Sequence, residues 1–233
     1  MRVLVTRPPE QAAPTAQKLV ALGHVPVLAP VLEIVATGAR LPAGPFDLLL
    51  ASSAQAFLGI APESAPGSPL ACVGAKTAEA ARRRGFEVQT VGADSEALAT
   101  VLLAEGRPKS ALYLAGRERK GLLERRLREN SWRVEIIETY EARPVPYWPE
   151  NLRAALACGE IDAILHYSPR SAALALALMG REAAPRLRHF CLSAEIAALC
   201  GAWAPQQQIV AAFQPDEESL MALLRPVEAR PRP

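Results

Sequence analysis

This 233-residue sequence predicts an α/β protein of two small doubly wound parallel-sheet domains. A two-stranded linker would join them, with one domain inserted in the other. Three observations lead there. Short apolar runs alternate with helical patterns along the whole chain, and many are apolar on both faces, as parallel strands covered by helices must be. One unit occurs twice: "DLLLASSAQAF" at residues 47–57 returns as "DAILHYSPRSA" at 162–172. Finally, two strand patterns run on unusually far, "HVPVLAPVLEIVAT" and "RVEIIETYEARPVPYW", each leading into a proline-rich stretch.

In order, the expected strands are "RVLVT", "VPVLAP", "LLLAS", "ACVG", "EVQTV", "ALYLAG", "RVEIIETY", "AILHYS", "HFCLS" and "IVAAF". Helical patterns such as "EQAAPTAQKLVALG", "AKTAEAARRRG", "SEALATVLLAEG", "KGLLERRLRENS" and "DEESLMALLR" separate most of them. Gly23, Gly85 and Gly106 follow periodic segments as C-terminal caps, and Ser95 precedes one as an N-cap. The run Arg82, Arg83, Arg84 closes a helix on a solvated face, where cations suit the C-terminal end of the dipole.

The repeat sets the domain plan. A first βαβ unit, residues 2–37, is followed by a longer segment, 46–106. The first recurs at 110–144, where "LVTR" becomes "LAGR" and "HVPVLAPVLE" becomes "WRVEIIETYE". The second recurs at 161–225. Consecutive pairing would divide the chain near Gly106. Nesting instead inserts residues 44–138 into a discontinuous domain of 1–37 plus 147–226, leaving 227–233 as a disordered tail. The two long strands at matching places favour nesting, because a chain that leaves a domain and returns to it needs two linkers. Such a hinge would carry an interdomain cleft, and ligands on these sheets gather beyond the carboxyl ends of the strands. Those ends hold Thr6 and Arg7, Ser52 and Ser53, Gly74 and Ala75, Gly116 and Arg117, Ser168 and Ser193. Small residues, hydroxyls and arginines opening helices suit an anion.

Composition excludes several function classes. A net charge of +2 gives no electrostatic reason to expect nucleic acid. No apolar run approaches the ~20 residues that span a bilayer, and three apolar residues before Thr6 are too few for a signal-peptide core. The expectation is a cytoplasmic protein with no membrane partner, and a monomer. Only four of the 26 cations are lysines; the arginine excess fits codon bias or carboxylate recognition. Cys72, Cys158, Cys191 and Cys200 form no CxxC pair and have no histidine at ligand spacing, so buried reduced thiols and no metal site are expected. "CVGAKTAEA" lacks the glycine spacing of a phosphate loop, and no GxGxxG occurs, so neither a nucleoside triphosphate nor a dinucleotide is expected. His24, His166 and His189 are scattered, and His24 and His189 read as structural. Tyr140, in the second long strand, could give a hydrogen bond or a proton to a leaving oxygen; a partly buried structural tyrosine is the other reading.

Taken together, "LVTRP", "TAQKLVALGHVPVLAPVLEI", "SSAQAF", "CVGAKTAEAARRRGF", "LYLAGRERKGLLE", "ETYEARPV", "YSPRSA" and "IVAAFQPDEESLMALL" resemble the uroporphyrinogen-III synthase family over nearly the whole chain. The resemblance implies two flavodoxin-like domains in the nested arrangement. It also implies a reaction without metal or organic cofactor: the linear tetrapyrrole hydroxymethylbilane closes with inversion of its last ring. It places Tyr140 as the tyrosine assisting departure of the hydroxyl, and Ser53, Thr77 and Ser168 as hydroxyls contacting substrate. Where the family often has Gly-x-x-Thr, this chain has Ser193 and Ile196. Arg7 and Arg117 join the candidate substrate-binding residues from their matched places in the repeat. A non-catalytic two-domain binding module for a small anionic ligand fits the same hinge and cleft.

Overall fold

The computed structural model describes residues 1–61, 63, 67–106 and 109–224. The expected end of the folded chain at 226 and the tail at 227–233 lie outside the described residues. The chain divides into two units, Met1–Glu33 with Pro144–Pro233, and Ile34–Arg143.

In the first unit, β1 (Arg2–Val5), β2 (Val25–Leu28), β9 (Ala163–His166), β10 (Arg188–Cys191) and β11 (Ile209–Ala211) form a sheet in the order β11-β10-β9-β1-β2. Every one of its pairings is parallel. Helices cover both faces. Alternating residues send Leu4, Ile164 and Cys191 toward α5 (Glu150–Ala157), α6 (Pro169–Ala183) and α7 (Ala194–Cys200). Val3, Val5, Leu165 and Phe190 face α1 (Pro9–Ala21) and α8 (Glu217–Ala222). This is the period of two of a strand buried on both sides.

The second unit repeats the plan. Its strands are β3 (Leu32–Ala36), β4 (Leu48–Ala51), β5 (Leu70–Val73), β6 (Val88–Gly92), β7 (Ser110–Gly116) and β8 (Arg133–Pro144), in the order β3-β8-β7-β4-β5-β6. A short 3₁₀ helix at Ala54–Phe57 and α2 (Ala75–Arg83) cover one face; α3 (Ser95–Leu103) and α4 (Leu122–Glu129) cover the other. Leaving out β3, the two sheets share one spatial order of repeat-related strands. The change of direction that defines a switch point falls between β1 and β9 in one unit, and between β7 and β4 in the other.

The aspartate that opens each repeated segment has a job visible in both units. Asp162 Oδ2 accepts the backbone N–H of Arg2 at 2.6 Å, and Asp47 Oδ2 accepts that of Ser110 at 2.7 Å. Each carboxylate thereby pins the start of the neighbouring strand.

Three local expectations change. The first long strand is two, because Pro30 lacks an N–H and interrupts the ladder; β2 belongs to the first sheet and β3 to the second. Its counterpart β8 runs unbroken for 12 residues. The N-cap of α3 is Asp94 rather than Ser95: its side chain accepts the Ala97 N–H at 2.8 Å. Cys158 is exposed, while the other three cysteines are buried as expected. Gly23, Gly85 and Gly106 all take positive φ, between 76° and 88°, as C-terminal caps require.

Candidate functional site

At the β7–β4 switch point of the second unit lies a cavity of about 380 Å³. Ser52 and Ser53 enter it from the end of β4, Tyr113 and Gly116 from β7, and Tyr140 from β8. Residues 94–96 and 121–123 bring the first turns of α3 and α4 to its wall. The positive ends of two helix dipoles therefore meet there, beside the carboxylates of Asp94, Glu96, Glu118 and Glu124 and the cations Arg119 and Lys120.

The seat of Tyr140 is set by a glycine. A Cβ built on Gly116 would lie 2.6 Å from Tyr140 Cζ and 2.8 Å from its hydroxyl oxygen. The phenol thus rests where any other residue would place a side chain. Two bonds hold β8 here: Arg117, just past the end of β7, donates its backbone N–H to Tyr140 O at 3.0 Å, and the buried Thr139 hydroxyl donates to Ala56 O, in the 3₁₀ helix, at 2.8 Å. A half-buried ring with its hydroxyl at a cavity is a well-placed donor.

A second phenol stands beside it. Tyr113 is buried, its oxygen 2.6 Å from Ser52 Oγ. Burial raises its pKa, so it stays a neutral phenol. Arg119 reaches the same wall, donating to Glu124 Oε1 at 2.9 Å and to Gly116 O at 3.2 Å. Burial works against the Arg119 charge, but Glu124 and Glu138 more than offset it and raise the pKa. Glu124, itself buried, is thereby neutralised as part of the wall. Sequence reasoning did not single out Tyr113, Arg119 or Glu124. The signal was present in "LYLAGRERKGLLE", where a strand tyrosine and a charged loop flank Gly116.

Of the residues the sequence put forward, Ser52, Ser53, Gly116 and Tyr140 come together at this cavity. Ser53 also caps the 3₁₀ helix, accepting the Gln55 N–H at 3.2 Å. Thr77 sits buried in the first turn of α2, behind Gly74 at φ 81°, and is not among the residues lining the cavity. Ser168 and Ser193, in the first unit, cap α6 and α7 by accepting the N–H of Ser171 and Ile196. Ile196 is buried in the core, so the position does packing work.

The two candidate arginines, Arg7 and Arg117, each make ion pairs within the protein. Arg7 donates to Glu217 Oε1 at 3.0 Å and stacks over the Tyr167 ring at 4.1 Å. Tyr167 in turn donates to Glu217 Oε1 at 3.2 Å, and burial pushes its pKa up to about 12. Arg117 pairs with Glu138 at 3.2 Å and with Glu141. In both places a carboxylate of the chain occupies part of the guanidinium edge.

Fold and site define a class: paired doubly wound α/β domains, one of which presents phenols, hydroxyls and helix N-termini at its switch point. The uroporphyrinogen-III synthase HemD family model matches residues 13–222, and the chain belongs to that family. It is thereby an enzyme of tetrapyrrole synthesis, from a family that acts on a tetrapyrrole substrate. Among solved structures, the uroporphyrinogen-III synthetase of Helicobacter pylori 26695 shares the fold at 16% identity, with a TM-score of 0.59 over 96% of this chain and 98% of that one. The uroporphyrinogen III synthase of the extremely thermophilic bacterium Thermus thermophilus is 24% identical, with 96% and 95% of the two chains covered and a TM-score of 0.42. No curated protein matches the chain. No helix among the described residues is long and apolar enough to cross a membrane.

Proposed function

We propose that this chain is a uroporphyrinogen-III synthase acting as a cyclising hydro-lyase on hydroxymethylbilane, with no metal or organic cofactor at the reacting centre. The observation that carries the reading is the seat of Tyr140 on Gly116, at a cavity of hydroxyls and helix N-termini, in a chain matched by the family over residues 13–222.

Tyr140 gives a proton or hydrogen bond to the hydroxyl of the substrate as its C–O bond breaks, and the hydroxyl leaves as water. The resulting azafulvene is attacked by the substituted carbon of ring D. The spiro intermediate then fragments and recloses with that ring inverted. General acid assistance of this kind contributes typically ~10²–10⁴ in rate. The remainder is positioning: the substrate is flexible, and holding one conformer removes entropy before the bond forms. Ser53 and the first turns of α3 and α4 receive substrate carboxylates, while Thr77, Ser168 and Ser193 stand as further hydroxyl contacts. Lys120, at the cavity wall, adds a cation. The same reading makes the protein a cytoplasmic monomer with no nucleic-acid or membrane partner, in keeping with its net charge of +2.

The test is the isomer ratio after incubation with freshly generated hydroxymethylbilane and oxidation of the products. Predominantly type III porphyrin, against type I in the protein-free control, is expected. Type I alone from a folded protein overturns the reading and leaves ligand binding without turnover.

A further inference from the structure

His166, His189 and Cys200 are distant in sequence and wholly buried, and the fold of the first unit gathers them. The β9–β10 register pairs His166 with Cys191 and Ile164 with His189. Alternation then puts His189, Cys191 and His166 on one face of the sheet, and the last residue of α7 lays Cys200 over that face. One ligand atom from each of His166, His189 and Cys200 lies within 4.8 Å of the others.

Proton bookkeeping shows that the protein alone does not satisfy this cluster. His189 Nε2 is 2.8 Å from Ala184 O. A carbonyl only accepts, so Nε2 carries the proton and Nδ1 is a bare lone pair. That lone pair faces His166 Nε2 at 3.0 Å. If His166 Nε2 carries the proton, its Nδ1 becomes a buried acceptor, and no hydrogen bond reaches it. The Cys200 thiol is near enough to act on the ring, but does not fill that place. If the proton sits on Nδ1 instead, two lone pairs face each other at 3.0 Å, an arrangement that a cation stabilises. Metal-bound histidines are commonly oriented through the second ring nitrogen by a backbone carbonyl, which is the bond His189 makes to Ala184.

The spacing also has the right scale. Two thiolates held about 2.3 Å from a tetrahedral zinc stand roughly 3.8 Å apart, and two imidazole nitrogens roughly 3.3 Å. The two imidazole nitrogens are 3.0 Å apart, the Cys200 sulfur lies within 4.8 Å of a nitrogen of each ring, and Cys191 is a further buried thiol 3.8 Å from that of Cys200.

We propose that His166, His189 and Cys200 form a buried site for a zinc-class cation, fastening β9, β10 and α7 to one another. On binding, Cys200 releases its thiol proton to solvent. Both imidazoles enter neutral, each keeping one ring proton. Thiolate with imidazole suits zinc among the divalent ions, and because the ligands meet only in the folded unit, uptake is coupled to folding. The site is structural and independent of the reaction proposed above, so the two readings fail separately.

The test uses the full chain, stripped by chelator under a reductant that does not bind metal, and titrated with zinc against a chromogenic competitor. The expected result is one zinc per chain, a thermal midpoint that rises with zinc, and a thiolate-to-metal charge-transfer band when cobalt replaces it. Cys200→Ala should lose both the stoichiometric ion and the band, whereas Cys158→Ala, at the exposed cysteine, should keep them. If Cys200→Ala does not fold, His166→Gln takes its place. A wild-type chain that takes up no zinc, or zinc uptake equal in wild type and variant, overturns the proposal.

Discussion

The two switch points of this molecule are built from the same repeat and end differently. In the second unit the repeat places Ser52 at the end of β4 and Gly116 at the end of β7, and a cavity stands there with Tyr140 over the glycine. At the equivalent places the first unit has Tyr167 and Thr6, and Leu32 where the second has Tyr140. Thr6 is buried and donates to Leu165 O at 3.2 Å. Tyr167 is covered by Arg7 and tied to Thr15 and Glu217. Two small residues leave room at one strand end; a phenol and a threonine fill the other. The backbone plan creates two equivalent places, and the side chains set on it make them chemically different.

The comparison is most sharply tested at Tyr140. Tyr140→Phe keeps the ring on Gly116 and removes only the hydroxyl. Type III formation should fall by about 10² or more, with the thermal midpoint nearly unchanged. Full activity, or a much earlier melt, would make the tyrosine structural. Gly116→Ala carries the second unit part of the way toward the first. Its new methyl meets the Tyr140 ring, so a rate loss of up to about 100-fold from misplacement should accompany about 1–3 kcal/mol of overpacking, read from initial rates and denaturant unfolding.

Arg7→Ala probes the filled side. Losing the stack on Tyr167 should lower stability by roughly 0.5–2 kcal/mol, while the fraction of type III product is retained. Retained stability with lost activity would instead return Arg7 to the substrate. The smallest effect expected is a pH dependence at Glu217. Burial opposes its charge, but Lys18, Thr15 and Arg7 outweigh burial and hold its pKa below the ordinary glutamate value of 4.5. A carboxylate depressed in the folded state contributes stability above its unfolded pKa, and that contribution fades as pH falls through the lower folded value. Melting followed from pH 6 downward should therefore decline less steeply in Glu217→Gln than in wild type; parallel declines would remove Glu217 as a cause.

Much of the fold was legible because its signals are local or periodic. Runs apolar on both faces, such as "LLLA" and "AILH", read as covered strands from their short length and the helical patterns between them, and the doubled Asp-apolar-Ser segment announced two sheets of one plan. The break at Pro30 was missed because the apolar pattern continues through it, and only the sheet each half joins separates β2 from β3. Ser53 and Tyr140 were legible as a hydroxyl and a phenol at strand ends. Tyr113 was not, because a strand tyrosine in an apolar run looks like core until its oxygen is seen 2.6 Å from Ser52.

The sequence by itself determined the class, the nested repeat and the family, since these rest on periodicity, order and motif spacing along the chain. Only the tertiary structure decided that Arg7 and Arg117 are held by Glu217 and by Glu138 with Glu141, that Gly116 exists to seat a ring, and that His166, His189 and Cys200 converge. The reason is physical. Charge pairing, steric room and metal-ligand geometry are set over a few ångströms of space, and in a parallel sheet residues that close in space are separated along the chain by a whole crossover.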